Sequence, residues 1–129
     1  MASIMVILNH KITEDQKKDL QNNYSVNSFH FLPDELQAKL KQIDPEASLV
    51  QLQGSIIYPV IQEIKKVNPD YLWIQGESTV CFNIQTWCNN NGIILLTATT
   101  KREVQEVISC DGSTVKKSIF KHVRFRRLN

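Results

Sequence analysis

Long apolar runs are missing from this chain, as are cysteine pairs, a glycine-rich fingerprint and any low-complexity tract. No stretch approaches the roughly 20 apolar residues that a membrane-spanning helix needs, so no membrane partner is expected. The opening Met1-Ala2-Ser3-Ile4-Met5 has no basic region ahead of its apolar residues, which argues against a secretory signal. Only three cysteines are present, Cys81, Cys88 and Cys110, an odd set without CxxC spacing. Oxidation would leave one unpaired, and zinc ligation lacks its usual spacing. Reduced thiols in a cytoplasmic protein are therefore expected, with Cys81 and Cys88 acting as small buried apolar residues. The four glycines form neither a Walker loop nor a dinucleotide fingerprint, which disfavours a generic nucleoside or dinucleotide enzyme. Neither a Ser/His/Asp triad nor a paired-carboxylate arrangement can be read. No cofactor and no metal is expected.

What is present fits one domain. With 129 residues, 42% of them hydrophobic and 22% charged, the chain can bury a core and needs no disordered segment. The net charge of +2 hides an asymmetry: Lys116, Lys117, Lys121, Arg124, Arg126 and Arg127 stand in a stretch without an acid. Elsewhere nine Lys and Arg face all thirteen Asp and Glu, a balance of −4. Such a basic end points to an anionic partner. A solvated edge strand guarded by lysines accounts for the same charges equally well.

Short apolar runs at Ile4–Leu8, Tyr71–Ile74 and Ile93–Leu96 have the pattern of strands buried on both faces, as in parallel sheets. Val26–Leu32 adds another strand. Thr13 and Gln16 form a capping box for a helix to about Asn23, and Asp34 is placed to cap a short helix bearing Leu36 and Leu40. A helix ending at Val67 starts near Ser48 or Ile56, its beginning obscured by Gly54 and Pro59. Val80, Ile84, Trp87 and Cys88 share one face of a helix running to about Asn90, with Gly92 as its left-handed stop. After Arg102, Val104–Ser109 and Thr114–Arg127 flank Cys110-Asp111-Gly112-Ser113, where Asp-Gly signals a hairpin. The fold class is thus α/β: a mostly parallel sheet flanked by helices, with a C-terminal antiparallel β-hairpin over residues 103–128.

In an open parallel sheet, ligands sit beyond the carboxyl ends of the strands. Three such ends are polar here: Asn9-His10, Gln75-Gly76-Glu77-Ser78-Thr79 and Thr99-Thr100-Lys101-Arg102. In the second, Gly76 permits close backbone approach, and the following helix offers N–H groups to a phosphate. The bland alternative is a tight turn capped by Ser78 or Thr79. Glu77 opposes an adjacent anion unless it points away or holds a ribose hydroxyl. The third supplies hydroxyl donors and two cations suited to phosphate. His10 carries an imidazole, a side chain suited to act as general acid or base. His30 reads as a strand residue, and His122 in the basic stretch is ambiguous.

Several stretches together resemble one family, the small CRISPR-associated Csx-class proteins akin to the cyclic tetra-adenylate ring nucleases of type III systems. They are Leu8–Thr13 with Gln16, Phe31–Gln37, Ile43–Glu46, Ile74–Glu77, Ala98–Arg102, Asp111-Gly112 and Phe120–Arg126, in order over nearly the whole chain. The resemblance implies a Rossmann-like (CARF-like) homodimer whose two-fold axis matches a cyclic tetra-adenylate. It also implies metal-independent cleavage: a ribose 2′-hydroxyl attacks the adjacent phosphorus in line and leaves a 2′,3′-cyclic phosphate. Lys101 and Arg102 would then stabilise charge, His10 would transfer a proton, and Thr99, Thr100 and Gln75 would position the ribose-phosphate. Asn9, Gly76, Glu77, Ser78 and Thr79 complete the expected ligand contacts. The chain departs from the family pattern at Gln75–Val80, where a further glycine and an Asp are expected.

Two other functions fit the same residues. A binding module would sequester the cyclic nucleotide without cutting it. A nucleic-acid adaptor would use Lys116–Arg127, with Phe120 and Phe125 interleaved for stacking, although no stable nucleic-acid partner is expected on the preferred reading.

Overall fold

A computed structural model describes residues 1–129. The apolar runs divide their side chains between two faces, as the two-residue strand period requires. In β1 (Ala2–Ile7), Met5 and Ile7 enter one core while Ile4 and Val6 enter another. Leu72 and Ile74 of β3 (Tyr71–Ile74) join the first, and Trp73 joins the second. β4 (Ile94–Ile108) repeats the division with Leu95 and Leu96. With β2 (Val26–Phe31) and β5 (Thr114–Arg127) these strands form one sheet in the order β2-β1-β3-β4-β5, parallel except for β5.

α1 (Glu14–Asn23) lies over the smaller core, where it buries Leu20. The larger core is lined by α2 (Asp34–Lys41), a long helix and α5 (Ser78–Asn90). The long helix runs from α3 (Leu49–Leu52) through a π turn (Gln53–Ile57) into α4 (Tyr58–Val67). Pro59 explains that turn: it has no N–H, and its ring presses on the carbonyl four residues back. The wider turn, in which Tyr58 N–H reaches Gln53 O, relieves this. The helix begins after Ser48, which caps it with Gln51, so the earlier of the two expected starts holds. Asp34 is the first residue of α2 and makes no capping bond; Pro33 occupies the cap. The Thr13–Gln16 box is reciprocal, with both bonds formed at 3.0 and 3.2 Å.

The expected end of the fourth strand at Leu96 is overturned. β4 continues through the polar residues to Ile108, and β5 pairs with it from Leu96↔Arg127 to Ile108↔Thr114. The far half projects as a two-stranded ribbon. Its tip is tied by Asp111, whose carboxylate accepts from Ser113 N at 2.9 Å and from Ser109 Oγ; these bonds hold it well below the usual carboxylate range. Gly112 takes φ +85° there. Near the core, an extra residue in β5 makes a bulge opposite Thr99 and Thr100. Phe125 is fully buried, edge-on to Trp73 at 4.8 Å and to Tyr24 at 6.0 Å. It therefore cannot serve the stacking surface considered above, and of the two aromatics only Phe120 is exposed.

Cys88 is buried and Cys81 packs partly against the core; burial pushes their thiols up to about 12 and about 11. No helix is long and apolar enough to cross a membrane.

Candidate functional site

The strand order reverses between β1 and β3: β2 lies to one side of β1, and β3, β4 and β5 to the other. At such a reversal the chain leaves neighbouring strands in opposite directions, which opens a crevice beyond their carboxyl ends. The two loops there touch. Gln75 N–H donates to Ile7 O at 3.1 Å. Gly76 sits at φ +155°, a conformation that residues with a side chain rarely adopt, and the Asn9 amide lies against it, 3.4 Å from where a Cβ would stand.

Two hollows flank the end of β1, and His10 borders both. One, of about 530 Å³, also takes in Asn9, Lys11, Asp34, Gln37 and Lys41. The other, of about 540 Å³, brings His10 together with Thr13, Gln16, Gln75, Thr100 and His122. His10 Nδ1 lies 3.0 Å from Lys11 O. A carbonyl only accepts, so Nδ1 carries the proton and Nε2 is left for other work. Gln75 Oε1 accepts from the buried Trp73 indole at 3.1 Å. Since indole can only donate, this orients the amide and leaves its two N–H donors for a ligand.

The remaining expected residues are placed differently. Glu77, rather than Ser78 or Thr79, caps α5, its carboxylate accepting from Thr79 N and Val80 N at 3.0 Å each. It thereby takes the position that the sequence offered to a phosphate. Ser78 and Thr79 are the first two residues of that helix. Thr99 is stitched to the bulge: its hydroxyl donates to Arg124 O at 2.9 Å and accepts from Arg124 N at 3.3 Å. Because β4 remains a strand, neighbours alternate between faces, and Thr100 borders the hollow while Thr99 faces away. Lys101 and Arg102 likewise point to opposite faces, out along the ribbon. Arg102 is pinned across it, Nε and Nη2 donating to Ser118 Oγ at 3.2 and 2.9 Å. The four-residue cluster read as one polar tip is thus split by strand geometry.

His30 is a β2 residue paired with Met5, as expected of a strand histidine. His122 is better defined than its ambiguous position in the sequence implied. Its Nε2 lies 2.7 Å from Asp19 Oδ2, with the two side chains 6% and 14% exposed. Burial raises the Asp19 pKa, but hydrogen bonds from Asn23 and His122 and the nearby charges of His122 and Arg124 outweigh it and hold the carboxyl below its ordinary value. Asp19 and His122 are 103 residues apart, so no local signal links them. No group of three His, Cys, Asp or Glu side chains is arranged to hold a metal ion.

Glu77 provides a test of this geometry. Burial raises its pKa, and the Thr79 and Val80 hydrogen bonds more than reverse that, leaving it lowered. A carboxylate depressed on folding contributes stability that is present above its unfolded value, about 4.3, and is lost as pH falls through the folded value. Glu77→Ala is expected to cost about 1 kcal/mol at neutral pH, as cap removals do, and less in acid. Urea unfolding at both pH values checks this; an equal cost at both would show that the carboxylate is not the cap.

An α/β protein with a ligand-sized crevice at the reversal of its sheet is the class these features define. The chain belongs to the Uncharacterized protein MJ1673 family, whose model matches residues 2–126. It is 30% identical over 129 residues to "Uncharacterized protein MJ1673" of Methanocaldococcus jannaschii, an alignment covering 100% of this chain and 98% of that one. No solved structure matches it.

Proposed function

We propose that this protein is a ring nuclease: a Rossmann-like (CARF-like) homodimer that binds cyclic tetra-adenylate and cuts it without metal, switching off type III CRISPR signalling. The observation that carries this reading is the convergence of His10, Gln75 and Thr100, from three distant segments, on one hollow at the carboxyl edge of the sheet. In-line attack by a ribose 2′-hydroxyl requires positioning donors and a proton carrier more than a dedicated nucleophile. Gln75 and Thr100 supply the donors and His10 the carrier. The basic strand β5 runs past the same hollow and favours a polyanion.

The size of the hollow supports a second protomer. About 540 Å³ lies within the range of about 300–1,000 Å³ that takes one drug-sized ligand. A ring of four nucleotides needs a partner's hollow to enclose it. Arg102, on the same face of β4 as Thr100, is the ribbon cation placed toward a ligand that spans the pair, whereas Lys101 lies on the opposite face. Asn9 and Gly76 lie against each other where the loops after β1 and β3 meet, and Glu77, Ser78 and Thr79 hold the turn that carries Gln75.

The experiment is incubation of labelled cyclic tetra-adenylate with excess protein and a chelator. Linear products ending in a 2′,3′-cyclic phosphate are expected. Ring that is retained but intact would make the protein a sequestering module, and ring that is not bound would overturn the reading. Tight, steeply salt-dependent binding of single-stranded RNA without preference for the ring would favour the adaptor.

A further inference from the structure

The hollow that gathers His10, Gln75 and Thr100 also borders a second imidazole, and that imidazole is held in one protonation pattern. Both oxygens of Asp19 are engaged: Oδ1 accepts from Asn23 Nδ2 at 2.6 Å, and Oδ2 lies 2.7 Å from His122 Nε2. An ionised carboxylate only accepts, so His122 carries its proton on Nε2. In the neutral ring, Nδ1 then presents a lone pair. That nitrogen is buried and has no partner in the protein. The ring itself packs on Phe125, centroids 4.9 Å apart. Leaving a buried acceptor unpaired is costly, and native structures do it rarely. An anchor between α1 and β5 would need only the Asp19 bond. It would not need a second, unsatisfied nitrogen on a residue that lines the ligand hollow.

Resting on the ring-nuclease reading, we propose that His122, with its tautomer set by Asp19, is the catalytic base of the cleavage and that His10 is the acid. His122 Nδ1 takes the proton of the ribose 2′-hydroxyl as the 2′-oxygen bonds to phosphorus. The bond from phosphorus to the 5′-oxygen breaks, and that oxygen takes a proton from Nε2 of protonated His10. One imidazole gains the proton that the other loses, and exchange with water restores both. Because Nδ1 is shielded as it stands, its contact with ribose requires a small shift of β5 at the bulge beside Thr100. The charged groups facing the pair are Asp19 and Arg124 at His122, with Asp15 and Lys121 on the rim of the hollow.

Single-turnover cleavage of labelled cyclic tetra-adenylate, followed across pH beside equilibrium binding, tests the assignment. The variants are His122→Phe, which keeps an aromatic ring in place, and Asp19→Asn, whose amide would donate to Nε2 and move the ring proton to Nδ1. Each is expected to cut about 10²-fold or more slowly while binding the ring as wild type does, and His122→Phe to lose one limb of the pH profile. His122→Gln substitutes if the Phe variant does not fold. Nitrogen NMR of wild type is expected to show Nδ1 unprotonated; a protonated Nδ1 overturns the tautomer and with it the base. Variants that cut at the wild-type rate, or that slow only in proportion to lost affinity, overturn the dyad and leave the ring-nuclease reading standing. Wild type that does not cut overturns both.

Discussion

Phe125→Ala is expected to remove about 3–5 kcal/mol of stability, the usual cost of emptying a buried aromatic site. Phe125 is the one large apolar side chain of β5 that is wholly buried, and it stands edge-on to Trp73 and Tyr24. Tyr24 also donates its hydroxyl to Phe125 O at 3.1 Å, so the backbone of β5 is held at the same point as the ring. Against a typical total of about 5–15 kcal/mol, such a loss brings the chain near its unfolding threshold. The ribbon would suffer first, because its far half contacts no other strand. Denaturant unfolding measures the loss, and a change under about 1 kcal/mol would mean that the smaller core closes without β5. The same variant should weaken ligand binding, because Phe125 seats the strand that brings His122 to the hollow.

His10→Ala is the second large effect expected, and it falls on rate rather than stability. His10 is exposed at the end of β1, and its one hydrogen bond, to the neighbouring Lys11 carbonyl, holds no other element in place. Removing it should barely move the unfolding midpoint. If it donates the proton to the departing 5′-oxygen, cleavage should fall about 10²–10⁴-fold, with ring affinity nearly unchanged. Loss of affinity in step with rate would make His10 a binding group. Retained activity with the same pH profile would remove it from the chemistry.

The parallel core was legible because each buried strand carries its own record. Ile4–Ile7, Tyr71–Ile74 and the start of β4 are apolar at successive positions, and only burial on both faces makes that favourable. The helix at Thr13 and the turn at Asp111-Gly112 were equally readable, since their bonds close within a few residues. The arms of the hairpin, Val104–Ser109 and Thr114–Arg127, were legible too, but the continuity of β4 through Thr97–Glu103 was not. Where the sheet gives way to a two-stranded ribbon with open faces, no alternation of apolar and polar residues is imposed, so Thr97–Glu103 looks like a loop after a buried strand. That one error bundled Thr99, Thr100, Lys101 and Arg102 into a single tip, where strand geometry sends neighbours apart. The cap of α5 was misplaced for a different reason: Ser78 and Thr79 are favoured cap residues, but Glu77 can reach two amides at once.

By itself, then, the order of residues determined the helices and the doubly buried strands, because periodicity and short-range hydrogen bonds are properties of neighbours along the chain. It also marked Asn9-His10 and Gln75-Gly76 as polar strand ends. Tertiary structure alone decided which of those ends share a hollow, that Asp19 meets His122, and that Lys101 and Arg102 diverge. Such pairings depend on strand order and on the bulge in β5, and a contact between groups 103 residues apart leaves no trace in the spacing of either.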